Sequence, residues 1–239
     1  LPASLSIIIP ALNEEGSLEQ IVQDCLRALR DFSDGEVVIV NDGSTDNTPE
    51  IADRLSMDPR VSVLHHQSNL GIGTSVRDAL SVARMDFITF LPADGQIDPF
   101  ELNLFLPLLD TCDIIVSTYF HSNRGIFRES LSLILRWLMR VLLGFSVQHE
   151  GIYLARTSLI RNLDLQSETF FLSFEIIAEI LEQGGRLGQT QIHVLPRYIG
   201  RSKVVHPRKI YAVFREILSY RKRKRSRSRP ERNAPPQRS

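Results

Sequence analysis

Residues 5–30 read LSIIIPALNEEGSLEQIVQDCLRALR, and two hydrophobic periods meet inside them. LSIII (5–9) is a continuous apolar run, the pattern of a strand buried on both faces. From Glu15 to Arg30 the apolar residues Leu18, Ile21, Val22, Cys25, Leu26 and Leu29 recur at helical spacing. The polar loop between the two elements places Asn13 and Glu14 at the carboxyl end of the strand. The same alternation continues outward. EVVIV (36–40) reads as a strand, TPEIADRLS (48–56) as a helix, VSVLH (61–65) as a strand and residues 73–84 as a helix. DFITFL (86–91) is a fourth strand, Pro99 to Leu109 a helix, and DIIVS (113–117) a fifth strand. This order predicts an α/β fold with a mainly parallel sheet flanked by helices, and ligands in such sheets bind at the carboxyl ends of the strands.

The second half is less regular. A helix is expected near 126–143, a strand at GIYLA (151–155), a helix from Leu172 to Gln183, a strand-like TQIHVLP (190–196) and an amphipathic helix over 207–220. With 239 residues, 43% of them apolar, the chain is long enough for one large domain. Residues 1–219 are read as that domain, divided into a ligand-binding half (1–120) and a second half (121–219). Nine of the 28 Lys/Arg and one of the 28 acids lie from Tyr220 onward, so the body is acidic, with a net charge of −8. The tail 220–239 has nothing to anchor a core and is expected to be disordered. Cys25 and Cys112 belong to no CxxC or Cys/His cluster, which argues against a disulfide framework or a structural zinc site and for buried, reduced, cytosolic thiols. No signal-peptide pattern is legible at the start of the chain. LSLILRWLMRVLLGFSV (131–147) is shorter than the ~20 apolar residues that a membrane span needs, and Arg136 and Arg140 interrupt it. It suits either a core helix with a polar edge or a helix lying in a membrane interface.

Four loops hold the candidate chemistry. PALNEEGS follows the first strand. NDGSTDNT (41–48) follows the second, with Asp42 at the strand end, Gly43 at a tight turn and Asp46 placed to cap the next helix. A carboxylate at the position of Asp42 serves either the turn or a base or ribose. NLGIGTS (69–75) is a glycine-rich turn into a helix, without the spacing of a Walker A loop or a dinucleotide fingerprint. LPADGQIDP (91–99) follows the fourth strand. Its Asp94 and Gln96 alternate out of the strand end, and one carboxylate with one amide oxygen suits Mg²⁺ or Mn²⁺.

Taken together, PALNEE, NDGSTDNT, NLGIG and ADGQ resemble, in order and spacing, glycosyltransferase family 2, whose members have the GT-A fold and bind a nucleotide-diphosphate sugar. RYIGRSK (197–203) is similar to the Arg…Gly-x-Ser-Lys segment of the dolichol-phosphate mannosyltransferase and polyprenyl-phosphate glycosyltransferase branch, and the helix bearing Arg128 resembles that branch's acceptor region in placement. The resemblance implies that Pro10, Ala11, Leu12, Asn13 and Glu14, with Asp42, Gly43 and Ser44, form the nucleotide-sugar pocket, Asp42 touching the base or ribose. It implies that Ala93 and Asp94 lie beside the diphosphate and that Asp94 and Gln96 hold Mg²⁺ or Mn²⁺. Arg197 and Lys203 would clamp phosphates, and Arg128 would meet the phosphate of a lipid. The implied donor is a GDP- or UDP-sugar, the acceptor a polyprenyl phosphate, and the setting the cytoplasmic face of a membrane, with a membrane-spanning partner subunit as a possible companion. Two departures stand out. Pro92-Ala93-Asp94 occupies the place of the family's usual Asp-Ala-Asp, and Tyr119 stands where the branch often has Arg.

Two other functions fit the same residues. A transferase acting on a hydroxyl would need a carboxylate base, for which Glu150, just before the Gly151 strand, is the candidate; the QxxRW signature of processive synthases is not matched, Leu133 standing where Gln would sit. A degenerate domain that only binds a nucleotide or a partner is the other. The basic tail also permits weak contact with nucleic acid, but the body offers no recognition motif to support it, and anionic lipid is an equal target.

Overall fold

The computed structural model describes residues 3–120, 140, 147–195 and 207–227. Seven strands form one sheet in the order β3-β2-β1-β4-β6-β5-β7. They are β1 (Leu5–Ala11), β2 (Gly35–Asn41), β3 (Val61–His65), β4 (Phe87–Phe90), β5 (Ile114–Tyr119), β6 (Tyr153–Arg156) and β7 (Leu187–Ile192). All neighbours run parallel except β6, which lies antiparallel between β4 and β5. The sheet is thus mainly parallel, as the unbroken apolar runs predict.

The alternation within β1 explains why its run is continuous. Ile7 and Ile9 face one layer, built from α1 (Leu18–Ala28) through Leu18, Ile21, Val22 and Cys25, together with Leu102 and Phe105. Ile8 faces the other, where Val76 and Ala79 of α3 (Ile72–Ala79) meet Ile176, Ile177 and Ile180 of α5 (Phe171–Glu182). A strand covered by helices on both faces has no solvated side on which to place a polar residue. Where β1 does carry one, Ser6, its hydroxyl donates to Glu36 at 2.8 Å, and Glu36, 2% exposed, is paired in turn with Arg84 at 2.8 Å. This polar set, with Ser6 and Glu36 buried and Arg84 exposed, lies at the amino ends of the strands, away from the cleft.

The layer of α1 also holds α2 (Thr48–Leu55), and that of α5 the single turn α4 (Thr157–Ile160). The helix expected from Pro99 to Leu109 is present over Pro99–Leu108 as a 3-10 helix with Pro107 inside it. Proline has no amide to donate and clashes with the carbonyl four residues back, so a regular α-helix is not available there. A correction concerns the tail. Helix α6 (Pro207–Arg227) runs seven residues past the expected limit of 220. Its extension is held by ion pairs, Arg223 to the buried Glu175 at 2.6 Å and Lys224 to Glu182. These acids sit on α5, far away in sequence, so a local reading sees only a run of like charges. Residues 228–239 lie outside the described residues, as does the apolar stretch 131–147 apart from Arg140 and Val147. Cys25 and Cys112 are both buried and free. No helix among the described residues is long and apolar enough to cross a membrane.

Candidate active site

β1 pairs with β2 on one side and with β4 on the other, so the chain leaves the carboxyl ends of these neighbours in opposite directions. A crevice opens at such a switch point. Here it is a cleft of about 290 Å³. Pro10 and Ala11 line it at the end of β1, Leu12 and Glu14 just after it, Asp42 after β2, and Pro92, Ala93 and Asp94 after β4. Seven of the residues expected at the site therefore meet in one place: Pro10, Ala11, Leu12, Glu14, Asp42, Ala93 and Asp94.

Three others, Asn13, Gly43 and Ser44, are not among the lining residues. They build the rim. Asn13 adopts a left-handed φ of 53°, a region in which Asn is well tolerated. This turns its side-chain oxygen to accept from the Thr45 amide at 2.8 Å, while its own amide donates to the Ser44 hydroxyl at 3.0 Å. The Glu14 amide donates to the Thr48 hydroxyl at 2.9 Å, and the Asn47 amide to the Glu15 carboxylate at 3.0 Å. Asp46 accepts from the amides of Thr48 (3.0 Å) and Glu15 (3.2 Å). Slight burial pushes its carboxyl up, but the hydrogen bonds from Thr48 and Glu15 outweigh this and hold it below the ordinary value. The N-cap is Asn47 and not Asp46 as expected; Asp46, one residue earlier, accepts from the first helical amide and is a clip between two loops. Together these bonds bind the first βα loop to the second, so that the two move as one edge.

Asp42 is 4% exposed, and its carboxylate is largely occupied. Oδ1 accepts from the Leu70 amide at 2.8 Å and lies 2.9 Å from His66 Nδ1; Oδ2 accepts from the Gly71 amide at 3.0 Å. The other ring nitrogen of His66 lies 3.2 Å from Asp78. Gly43, at φ 70°, lets the turn lie flat on this loop, because a Cβ there would come within 2.4 Å of the Ser68 backbone. A carboxylate offers about four acceptor sites. Two of those on Asp42 hold the NLG turn in place and a third faces His66, which leaves one for a ligand.

At the far side of the cleft the Asp94 carboxylate accepts from the Gln96 amide at 3.1 Å around Gly95, whose φ is 69°. Gln96 does not line the cleft; its carbonyl accepts from the Leu195 amide at 2.8 Å. Pro92 does line it, in the place where the family's pattern would put an acid. Among the described residues no group of three or more His, Cys, Asp or Glu is arranged to hold a metal ion. Arg128, Arg197 and Lys203 lie outside the described residues.

One wall was not anticipated. Glu168, Thr169 and Phe170, leading into α5, and Ala212 and Val213 of α6 close the cleft. Glu216 of α6 fixes that wall by accepting from the Glu168 amide at 2.9 Å and from the Thr169 hydroxyl at 2.6 Å. The Gly73 amide donates to the Glu168 carbonyl at 2.9 Å, and a Cβ on Gly73 would sit 2.5 Å from that carbonyl carbon. Both glycines of NLGIGTS are therefore close-approach glycines, a Cβ on Gly71 falling 2.9 Å from the Glu168 carbonyl oxygen, and they are the sequence signal of this wall. The side chain of Glu150 is not among those lining the cleft. The charged residues that line it, among those described, are all acidic: Glu14, Asp42, Asp94 and Glu168.

The profile described as "Glycosyl transferase family 2" matches residues 6–174. The glycosyltransferase AglD of Haloferax volcanii is 35% identical over 98 residues, which cover 39% of this chain and 16% of that protein. The dolichyl-phosphate beta-glucosyltransferase ALG5A of Trichomonas vaginalis is 34% identical over 112 residues, 42% of this chain and 35% of that one. The matched segments span well under half the length of these relatives. In three dimensions the chain is similar to glucosyl-3-phosphoglycerate synthase from Mycobacterium tuberculosis. The complex of that enzyme with Mn²⁺, UDP and glucosyl-3-phosphoglycerate gives a TM-score of 0.71 at 18% identity, covering 96% of this chain and 82% of that one. Its complex with Mg²⁺ and UDP gives 0.69 at 21% identity, covering 92% and 79%. The likeness in structure is one of fold, the GT-A architecture, and the profile covers most of the chain and every loop of the cleft except the α6 wall: the chain belongs to glycosyltransferase family 2.

Proposed function

We propose that this chain transfers a sugar from a nucleoside-diphosphate sugar to a polyprenyl phosphate, with inversion, at a membrane face. The observation behind the donor is the cleft at the β1/β4 switch point, floored by Pro10 to Leu12 and ending at Asp94. The acceptor reading draws on the similarity to a dolichyl-phosphate glucosyltransferase and on RYIGRSK.

The charge of the cleft bears on the cofactor. Four acidic side chains face a ligand that is itself anionic, and hard oxygen donors suit Mg²⁺ or Mn²⁺. A single carboxylate is enough for such an ion when the substrate's phosphates supply the other ligands. Asp94 would hold it, and when bound the ion neutralises charge on the departing diphosphate. The chain's own residues do the rest. The Asp42-anchored turn and the loop after β1 orient the nucleoside. The apolar walls, Ile72, Phe170 and Val213 among them, exclude water. A phosphate oxygen is already anionic, so it attacks the anomeric carbon without a base. The new C–O bond forms as the bond to the diphosphate breaks, and the nucleoside diphosphate leaves with the electron pair. Arg197 and Lys203 would clamp the phosphates, and Arg128 the lipid phosphate.

The test is incubation with GDP- and UDP-sugars, Mg²⁺ or Mn²⁺, and short polyprenyl phosphates. Transfer to lipid that requires the metal is expected, with Asp94→Asn lowering kcat on the order of 100-fold or more. No transfer from any common donor overturns the reading.

One observation favours a second reading. Glu168, unlike Glu150, is an acidic residue that lines the cleft. With a hydroxyl acceptor it would be the general base, and Glu168→Gln would cost on the order of 100-fold or more. With a phosphate acceptor the same substitution leaves most of the rate.

A further inference from the structure

Helix α6 has two dissimilar sides. Inward, Ile217 (0% exposed) and Tyr220 (2%) pack on Phe171 and Ala178 of α5. The charged residues turned that way have partners: Glu216 with the Glu168–Thr169 wall, Arg223 with Glu175 and Lys224 with Glu182. Outward, Tyr211 (64% exposed), Phe214 (41%) and Leu218 (44%) follow one another at spacings of three and four, a single stripe along the helix. Arg215 and Lys222, four residues beyond Tyr211 and Leu218, continue the same face, and Arg221 flanks it. An open groove beside this basic end is lined by Leu218, Arg221, Lys222, Arg225 and Ser226. An apolar stripe that grades into cations has one natural complement. An anionic bilayer offers an apolar interior and a layer of negative headgroups side by side, and aromatic residues such as Tyr211 favour the boundary between them. The helix is too charged to cross a bilayer but has the form of one that lies in its surface.

We propose that the outward face of α6 docks the enzyme on an anionic membrane, with Tyr211, Phe214 and Leu218 at the headgroup–acyl boundary and Arg215, Arg221 and Lys222 on lipid phosphates. Ala212 and Val213 of the same helix line the cleft, so docking brings the cleft to the lipid surface. The proposal deepens the reading of a lipid acceptor by naming the surface that reaches it. Its test contains neither donor nor polyprenyl phosphate, so the two stand or fall separately.

The test is flotation of the full chain with vesicles of phosphatidylcholine, alone or with about a quarter phosphatidylserine. The floated fraction is expected to rise about tenfold on the anionic vesicles and to fall in high salt. It should drop about tenfold in the Tyr211→Ser/Phe214→Ser/Leu218→Ser variant and several-fold in Arg221→Glu/Lys222→Glu, with circular dichroism unchanged. If the first variant does not fold, the charge-reversal pair decides. Wild-type chain that stays at the bottom of the gradient with anionic vesicles overturns the proposal, as do folded variants that float like wild type. So does a wild-type dimer in sedimentation that the triple substitution dissolves, since the face would then belong to a second copy.

Discussion

At the scale of single residues, the cleft depends on what each carboxylate is bonded to. Asp42 looks from its strand-end position like a ligand contact, yet most of its acceptor capacity holds Leu70, Gly71 and His66. His66 is the less obvious half of this arrangement, because it spans Asp42 and Asp78 and is itself nearly buried. Replacing it leaves the Asp42 carboxylate one bond short in a place that water reaches poorly. His66→Ala is expected to cost about 1–3 kcal/mol. In a domain of this size each of those corresponds to roughly 2–4 °C in Tm. Because the histidine positions the turn and does not line the cleft, KM for the donor should rise more than kcat falls. Equal losses in both would show that it acts on the reaction itself.

At the scale of elements, α3 and the segment before α5 approach each other closely. Gly73 permits it, and the Glu168 backbone leaves no room for a methyl group. Gly73→Ala should move the Glu168–Phe170 wall outward, and a shift approaching 1 Å in a positioned site can cost up to about 100-fold in rate. Gly184 supplies the control. Unlike Gly73 it has a positive φ, 83°, just past the end of α5, and nothing lies within 4 Å of a Cβ there. Gly184→Ala should cost about 1–2 kcal/mol in strain and leave turnover intact. If both variants lower turnover alike, the wall is not set by the packing of Gly73.

At the scale of the whole molecule, stability against acid should be lost in two stages. His149 is boxed between the rings of Tyr153 (centroids 6.1 Å apart) and Phe174 (5.5 Å), and its Nδ1 has no hydrogen-bond partner. Burial pushes its pKa down to about 4 from 6.5. In the unfolded chain it takes up a proton as the pH falls below about 6.5, whereas in the folded chain it does not. Folding therefore loses stability from pH 6.5 down to about 4. Asp113 follows. Hydrogen bonds from the Arg186 side chain and amide, with a further one from Arg156, hold its carboxyl at about 2 against the usual 3.8. Its stabilising contribution is complete above about pH 4 and is lost as the pH falls through 2. Tm measured against pH should flatten over the upper interval in His149→Phe and over the lower one in Asp113→Asn. An unchanged slope in the first variant would mean that the imidazole is solvated in the folded chain.

Much of the fold is written locally. The runs LSIII and EVVIV, the helical spacing from Leu18 to Leu29 and the glycines at turns each follow from backbone geometry within a few residues, which is why the mainly parallel sheet, the four loops and seven residues of the cleft are legible in the sequence. The sequence by itself also determined that Asp94 stands in this motif without a second acid. What only the tertiary structure decided lies in contacts between distant segments. The antiparallel insertion of β6, the use of Asp42 and Gly73 as fastenings, and the wall of Glu168 and Val213 all depend on a partner tens of residues away. So does α6. In sequence its basic end looks like a solvated tail, and it becomes a helix because Glu175 and Glu182 lie across from Arg223 and Lys224 and remove part of the like-charge repulsion that would otherwise keep the segment extended.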